Sequence, residues 1–133
     1  KDPQAAAIGG MLAAQKYGLR VLDRDMQDSS SNATRFLVLG RKCPPPTGND
    51  RTSLMFSIVD EIGALHRSLE AFRKQAINLT KIESRPSKRK AWDYYFFADV
   101  DGHIENKKVA RAIDLLSRQC AFVKVLGSYP NAE

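Results

Sequence analysis

The pattern of apolar and polar positions predicts four strands and two helices in the second half of the chain. Apolar side chains alternate with small or polar ones over 51–59, which predicts a strand, and they recur every three or four residues over 63–76, which predicts an amphipathic helix. The remaining pattern predicts a helix over 105–119 and three further strands at 77–86, 92–100 and 120–127. The order β-α-β-β-α-β indicates an α+β domain of ferredoxin-like type, with both helices on one face of the sheet.

The first 42 residues form a different and less complete pattern. Asp2-Pro3 is typical of a helix start, so we expect a helix that runs to Tyr17 and ends at Gly18. Short apolar runs at 19–22 and 35–39 favour buried strands. One helix and two strands cannot bury a core of their own, so we expect a piece of an α/β domain. Residues 43–50, with three consecutive prolines and a glycine, predict a semi-rigid linker before a second domain at 51–133.

Composition and charge exclude several classes of protein. With 43% hydrophobic and 27% charged residues in a chain of 133, the sequence is that of a soluble globular protein, and no apolar run is long enough for a membrane helix. Of the net charge of +6, a charge of +4 falls within 81–90, around Pro86. So short a basic stretch favours a solvated loop over a nucleic-acid interface. Two distant cysteines, without a secretory signal, indicate a reducing, cytoplasmic compartment.

The start of the first helix of the second domain is a candidate anion site. Gly63, Ala64, Leu65 and His66 would place small residues and free backbone N–H groups at a helix N-terminus, which favours a carboxylate. The alternative is a tight corner between strand and helix with no ligand. With His103 as the only other histidine, a histidine-based metal site is not expected, and no cofactor motif is present.

Two further short segments carry candidate chemistry. Glu83, Ser84, Arg85 and Pro86 end the second predicted strand, where alternation puts Glu83 and Arg85 on one face, able to pair with each other or to contact a charged ligand. Thr34, Arg35 and Phe36 open a predicted strand, where a hydroxyl beside a guanidinium can orient a carboxylate and protonate a leaving oxygen. For both segments a purely structural role remains open.

Taken together, the segments NATRFLVLGR, GALH, INLTKIESRP and KVLGSYP resemble the prephenate dehydratase family, in which they occur in this order. The resemblance covers nearly the whole chain. GALH and ESRP resemble the phenylalanine-binding ACT domain of that family, and the Thr-Arg-Phe triplet resembles the end of its catalytic domain. Aromatic amino-acid hydroxylases carry a similar ACT module without the triplet.

The resemblance implies a reaction and a regulator. The family converts prephenate to phenylpyruvate with loss of water and carbon dioxide, so Thr34 would assist departure of the hydroxyl, with Arg35 and Phe36 beside it. L-Phenylalanine would inhibit by binding between ACT domains of a homodimer or homotetramer. Its implied contacts are Gly63, Ala64, Leu65 and His66, then Glu83, Ser84, Arg85 and Pro86, with Asn78 and Leu79 from the facing subunit.

The length of the chain limits what the resemblance implies. Only 33 residues precede Thr34, whereas the catalytic domain of the family has two lobes. We therefore expect a C-terminal fragment, inactive alone, of a prephenate dehydratase or of a bifunctional chorismate mutase–prephenate dehydratase. The alternative is a stand-alone amino-acid-binding module, and nucleic-acid binding through 81–90 is the least favoured function.

Overall fold

The computed structural model describes residues 2, 4–29, 34–87 and 94–132. The chain divides into two compact units, Lys1–Val38 and Leu39–Glu133. Several residues that the sequence analysis used lie outside the described ranges, namely Pro3, Asn32, Ala33, Lys88, Arg89, Lys90 and Trp92. No helix in the described part of the chain is long and apolar enough to cross a membrane.

The second unit contains one four-stranded antiparallel sheet. Its strands are β1 (Asp50–Ser57), β2 (Leu79–Pro86), β3 (Tyr94–Asp101) and β4 (Phe122–Pro130), in the order β2-β3-β1-β4. Strand β1 pairs with β3 on one side and with β4 on the other, with a bulge in the β4 pairing at Ser53/Leu54. The predicted ferredoxin-like arrangement is confirmed, and β2 forms one edge of the described sheet.

Two helices cover one face of this sheet. Helix α2 (Ala64–Lys74) and helix α3 (Lys107–Ser117) pack on a core of Leu54, Phe56, Ala71, Phe72, Ala98, Val100, Ala112 and Leu116. Asn106 caps α3, since its side chain accepts a hydrogen bond from the Lys108 N–H at 2.9 Å. Helix α2 ends two residues before the predicted position because Ala76 adopts a left-handed conformation, φ 51°, that turns the chain toward β2.

The first unit differs from its predicted pattern. Its helix α1 (Met11–Tyr17) is half the expected length and starts after Gly9 and Gly10, although it ends at a left-handed Gly18 as predicted. The strands predicted at 19–22 and 35–39 are wrong, since neither segment is extended into a sheet and both are exposed. A strand requires a partner for its backbone groups, and the described part of this unit offers none to either segment.

The turn between β3 and α3 requires glycine. Gly102 has φ 102°, and a Cβ atom there would lie 2.9 Å from Cγ2 of Val109. The Gly102 carbonyl also accepts a hydrogen bond from the Thr52 hydroxyl at 2.6 Å. A side chain at this position would strain the backbone and displace buried Val109.

We expect the substitution Gly102→Ala to destabilise the second unit by about 1–3 kcal/mol, because it adds both a positive-φ penalty and a steric clash. Urea denaturation followed by circular dichroism would measure this. The matched control is Gly127→Ala in β4, where an added Cβ meets nothing within 4 Å and we expect a change below about 0.5 kcal/mol. Equal stability of the two variants would contradict the packing at the turn.

Candidate functional site

The register of the sheet brings two of the predicted segments to the same end of the second unit. Ser57, at the end of β1, and Arg85, near the end of β2, are both paired with Tyr95 of the intervening strand β3. The ends of β1 and β2 therefore lie two strand spacings apart, about 10 Å. Because α2 starts shortly after β1 ends, the segments 63–66 and 83–86 share this end of the domain, which we call the ligand pole.

Gly63 opens helix α2 in a left-handed conformation, with φ 75° and ψ 6°. Its carbonyl accepts the first intrahelical bond, from the Arg67 N–H at 3.0 Å, so the N–H groups of Leu65 and His66 have no intrahelical acceptor. Gly63 and His66 are exposed, whereas Ala64 is buried against the domain. This arrangement offers backbone donors and the positive end of a helix dipole to a small anion.

Glu83 lies between two basic side chains on the sheet face opposite the helices. Its carboxylate is 3.1 Å from the Lys81 ammonium and 2.5 Å from the Arg85 guanidinium. The hydrogen bond from Lys81, followed by that from Arg85, lowers the pKa of Glu83 from 4.5. The predicted pairing of Glu83 with Arg85 is therefore present, and Lys81 is an additional partner that the motif did not reveal.

The other two residues of this segment face the helices. Ser84 pairs with Phe96, which stacks on buried Phe56 with ring centroids 5.4 Å apart, so Ser84 points to the helix side of the sheet. Pro86 shares that side by alternation, opposite Tyr94. The segment thus presents a neutral side to the helix layer and an ion-paired side to the open face.

Asn78 and Leu79 lie at the opposite end of β2. The Asn78 side chain donates to the Asp101 carboxylate at 3.2 Å, and Leu79 pairs with Val100. The six to seven residues that separate them from Arg85 correspond to roughly 20 Å of strand. One chain alone therefore does not bring all the candidate phenylalanine contacts together.

Neither of two open cavities on the second unit is at the ligand pole. One, of about 320 Å³, is lined by residues of the 43–50 segment and of the β3–α3 turn, and the other, of about 370 Å³, lies between Gln75 and Arg111. At the ligand pole, by contrast, Ile62 is fully exposed, and Ile82, near the middle of β2, is 45% exposed. The candidate site is thus a surface with apolar margins and not a closed pocket.

The Thr34, Arg35 and Phe36 triplet lies in the first unit, without regular secondary structure. All three residues are exposed, Phe36 to 84%. The triplet therefore does not open a strand, and the strand start predicted from the sequence is wrong.

Comparison with known proteins gives this geometry its context. The family model "Prephenate dehydratase" matches residues 1–44, and the family model "ACT domain" matches residues 52–114. A bifunctional chorismate mutase/prephenate dehydratase from Aquifex aeolicus is 52% identical over 99% of this chain. The chain belongs to the prephenate dehydratase family. A prephenate dehydratase from Mycobacterium bovis is 44% identical over 94% of the chain.

The chain spans about a third to two-fifths of these family members, 36% of the Aquifex protein and 40% of the mycobacterial one. A solved structure of a prephenate dehydratase from Arthrobacter aurescens, in complex with L-Phe, matches with a TM-score of 0.63 and 37% identity. The match covers 68% of this chain and 30% of that one. The resemblance inferred from the motifs is therefore confirmed for the family and for its ACT domain.

Three residues that organise the second unit of this prephenate dehydratase family chain are not apparent from its sequence. Asp50, Asp101 and His103 lie at the end of the domain opposite the ligand pole, where Asp50 and His103 bond to residues of the 43–50 segment and Asp101 bonds to Asn78 beside the start of β2. The available signals were the Asp101-Gly102 turn and an aspartate just before β1, but their partners are far away along the chain.

We expect the Glu83 carboxyl to titrate with a pKa below 4.5 in the folded chain, because both basic neighbours favour its ionised form. A folded pKa below the unfolded value means that this pairing stabilises the fold above about pH 4.5 and is lost as pH falls through the folded pKa. Carboxyl-carbon NMR would follow the titration, and Lys81→Ala should raise the pKa. Glu70, whose pKa is likewise lowered by hydrogen bonds from Arg73 and Lys74, is the matched control, and Lys81→Ala should leave its titration unaltered. An unchanged Glu83 titration in Lys81→Ala would contradict the proposed cause.

Proposed function

We propose that residues 51–133 form the L-phenylalanine sensor of a prephenate dehydratase. The observation that carries this proposal is the left-handed Gly63, which leaves the first-turn amides of α2 accessible at the same end of the domain as the 83–86 segment. The carboxylate of the amino acid would accept hydrogen bonds from the N–H groups of Leu65 and His66. The Arthrobacter relative with bound L-Phe supports this choice of ligand.

We propose that the site is completed by a second copy of the chain. In the described sheet, β2 has a neighbouring strand on one side only, so its other edge is available for antiparallel pairing. A two-fold axis perpendicular to the sheet and passing beside β2 at Ile82 would place residue 78 of one chain opposite residue 86 of the other. Asn78 and Leu79 of one subunit would then meet the ligand pole of its partner, and the exposed Ile82 side chains would meet near the axis.

Such a dimer explains how binding is linked to regulation. An amino acid held between two chains stabilises the arrangement in which both halves of the site are assembled. Its phenyl ring needs an apolar environment, and the exposed Ile62 of the ligand pole is suitable for this. Dimers formed in this way can associate further, so a homotetramer is compatible with the same interface.

For the whole protein we propose the dehydration and decarboxylation of prephenate to phenylpyruvate, controlled by feedback from phenylalanine. Thr34 would assist departure of the hydroxyl, and Arg35 and Phe36 would flank the substrate. In this proposal residues 1–42 belong to the catalytic domain, residues 43–50 are the linker, and the enzyme is cytoplasmic, in keeping with the free Cys43 and Cys120. The alternative, a stand-alone ACT module, would share the sensor but lack the reaction.

We expect L-phenylalanine to bind the chain and L-glutamate not to bind, as measured by isothermal titration calorimetry. The substitution Gly63→Val should weaken binding about tenfold or more, because a β-branched residue at positive φ is strained by about 1–3 kcal/mol and moves the first-turn amides. Gly127→Val, where an added Cβ meets nothing within 4 Å, is the matched control and should bind normally. A folded chain that does not bind phenylalanine would contradict the sensor, and unchanged affinity in Gly63→Val would contradict backbone recognition.

A further inference from the structure

The turn formed by residues 101–103 is hydrogen-bonded to the start of β2. The Asp101 N–H donates to the Asn78 carbonyl at 3.1 Å, and the Asn78 side-chain amide donates to the Asp101 carboxylate at 3.2 Å. Both side chains are exposed. Asn78 is therefore bound through both its backbone and its side chain to one residue of the turn, while the same side chain remains accessible from outside.

The same turn is bonded on its other side to residues 43–50, which lead into β1 at Asp50 and which we call the proline segment. The Gly102 N–H donates to the Asp50 carbonyl at 2.7 Å, and His103 Nε2 lies 3.0 Å from the Pro44 carbonyl. The Glu105 N–H donates to His103 Nδ1 at 3.2 Å, which makes Nδ1 the acceptor and leaves the proton on Nε2. His103 Nε2–H thus donates to the Pro44 carbonyl.

Within the proline segment, the Asp50 side chain fixes the conformation. Its carboxylate accepts hydrogen bonds from the Thr47 N–H at 2.9 Å, the Thr47 hydroxyl at 2.8 Å and the Gly48 N–H at 3.0 Å. Burial of this carboxyl acts to raise the pKa of Asp50, but the bonds from Thr47 and Gly48 outweigh it and lower the pKa below 3.8. These bonds fix the conformation of the segment, and the bonds from Gly102 and His103 hold it against the turn, so it does not behave as a free spacer.

Three residues in the middle of this network have little freedom. His103 is 3% exposed and Asp50 is 6% exposed, and Gly102 has the positive φ that only glycine adopts without strain. The two residues that follow Asp101 in the turn, Gly102 and His103, are both bonded to the proline segment. A displacement of Asp101 therefore acts on that segment. Contiguous hydrogen-bonded networks of this kind can carry coupling free energy between two sites.

We infer that the turn 101–103 transmits phenylalanine occupancy from Asn78 to the proline segment, and we call this transmission the relay. This inference rests on the proposed function, in which Asn78 contacts an amino acid held at the ligand pole of the partner subunit. A ligand that orders the Asn78 side chain also orders Asp101, and through Gly102 and His103 it restrains Asp50 and Pro44. Phenylalanine thus raises the fraction of molecules in which the proline segment is hydrogen-bonded to the turn. The segment leads directly into residues 1–42.

The test measures amide hydrogen exchange of Thr47 and Gly48 in the full chain, with and without saturating L-phenylalanine. These two N–H groups report on the proline segment because they donate to Asp50. We expect phenylalanine to slow their exchange about threefold or more in the natural sequence. His103→Ala should abolish this response while phenylalanine affinity, measured by calorimetry, stays within about twofold.

Three further variants separate the relay from a general loss of structure. His103→Gln, whose amide can still donate to the Pro44 carbonyl, should partly restore the response. Asp101→Ala, a substitution of an exposed residue, should abolish it at saturating phenylalanine. Glu105→Gln is the control, since Glu105 contributes its backbone N–H to the turn while its side chain is exposed, and it should respond like the natural sequence.

The outcomes distinguish the relay from the sensor. Phenylalanine binding without a change in Thr47 and Gly48 exchange would overturn the relay and leave the sensor intact. A full response in both His103→Ala and Asp101→Ala would also overturn the relay. Absence of phenylalanine binding to the natural sequence would contradict the proposed function, and the relay with it.

Discussion

The burial of strand β1 in the middle of the sheet is the constraint on which the rest of the second unit depends. Leu54 and Phe56 are fully buried against the helices, and β1 is hydrogen-bonded along both edges. A shift of its register by one residue would expose both side chains, so the pairing with β3 and β4 has one favourable alignment. That alignment determines which residues share an end of the domain.

Two functional consequences follow from this alignment. At one end, the ends of β1 and β2 lie about 10 Å apart and α2 starts soon after β1, so backbone amides and an ion-paired strand end face solvent there. At the other end, the turn 101–103 joins Asn78 to the proline segment. Because β2 spans the distance between the two ends and lies at the sheet edge, pairing of two chains through β2 places each end beside the opposite end of its partner.

Local pattern was sufficient to predict the second unit and insufficient for the first. Alternation over 51–59 and helical spacing over 63–76 identified elements whose partners are all within the chain, so the predicted order and the observed sheet agree. The apolar runs at 19–22 and 35–39 have the composition of strands, but strand formation depends on partners elsewhere, and none is present in the described part of that unit.

Motifs located Gly63 and Glu83, whose environments are local. They did not reveal His103 or Asp50, because those roles come from contacts with residues distant in sequence, 59 positions in the case of His103 and Pro44.

We propose above all that each phenylalanine site is built from two chains, the helix start of one and Asn78 of the other. The most direct measurement is calorimetric binding of L-phenylalanine to a mixture of two defective variants, Gly63→Val and Asn78→Ala, after subunit exchange. If the site is shared, each mixed dimer contains one intact site, and the mixture regains high-affinity binding at about half a site per chain in those dimers. If each site lies within a single chain, every chain in the mixture remains defective, and the absence of any recovery would contradict the account.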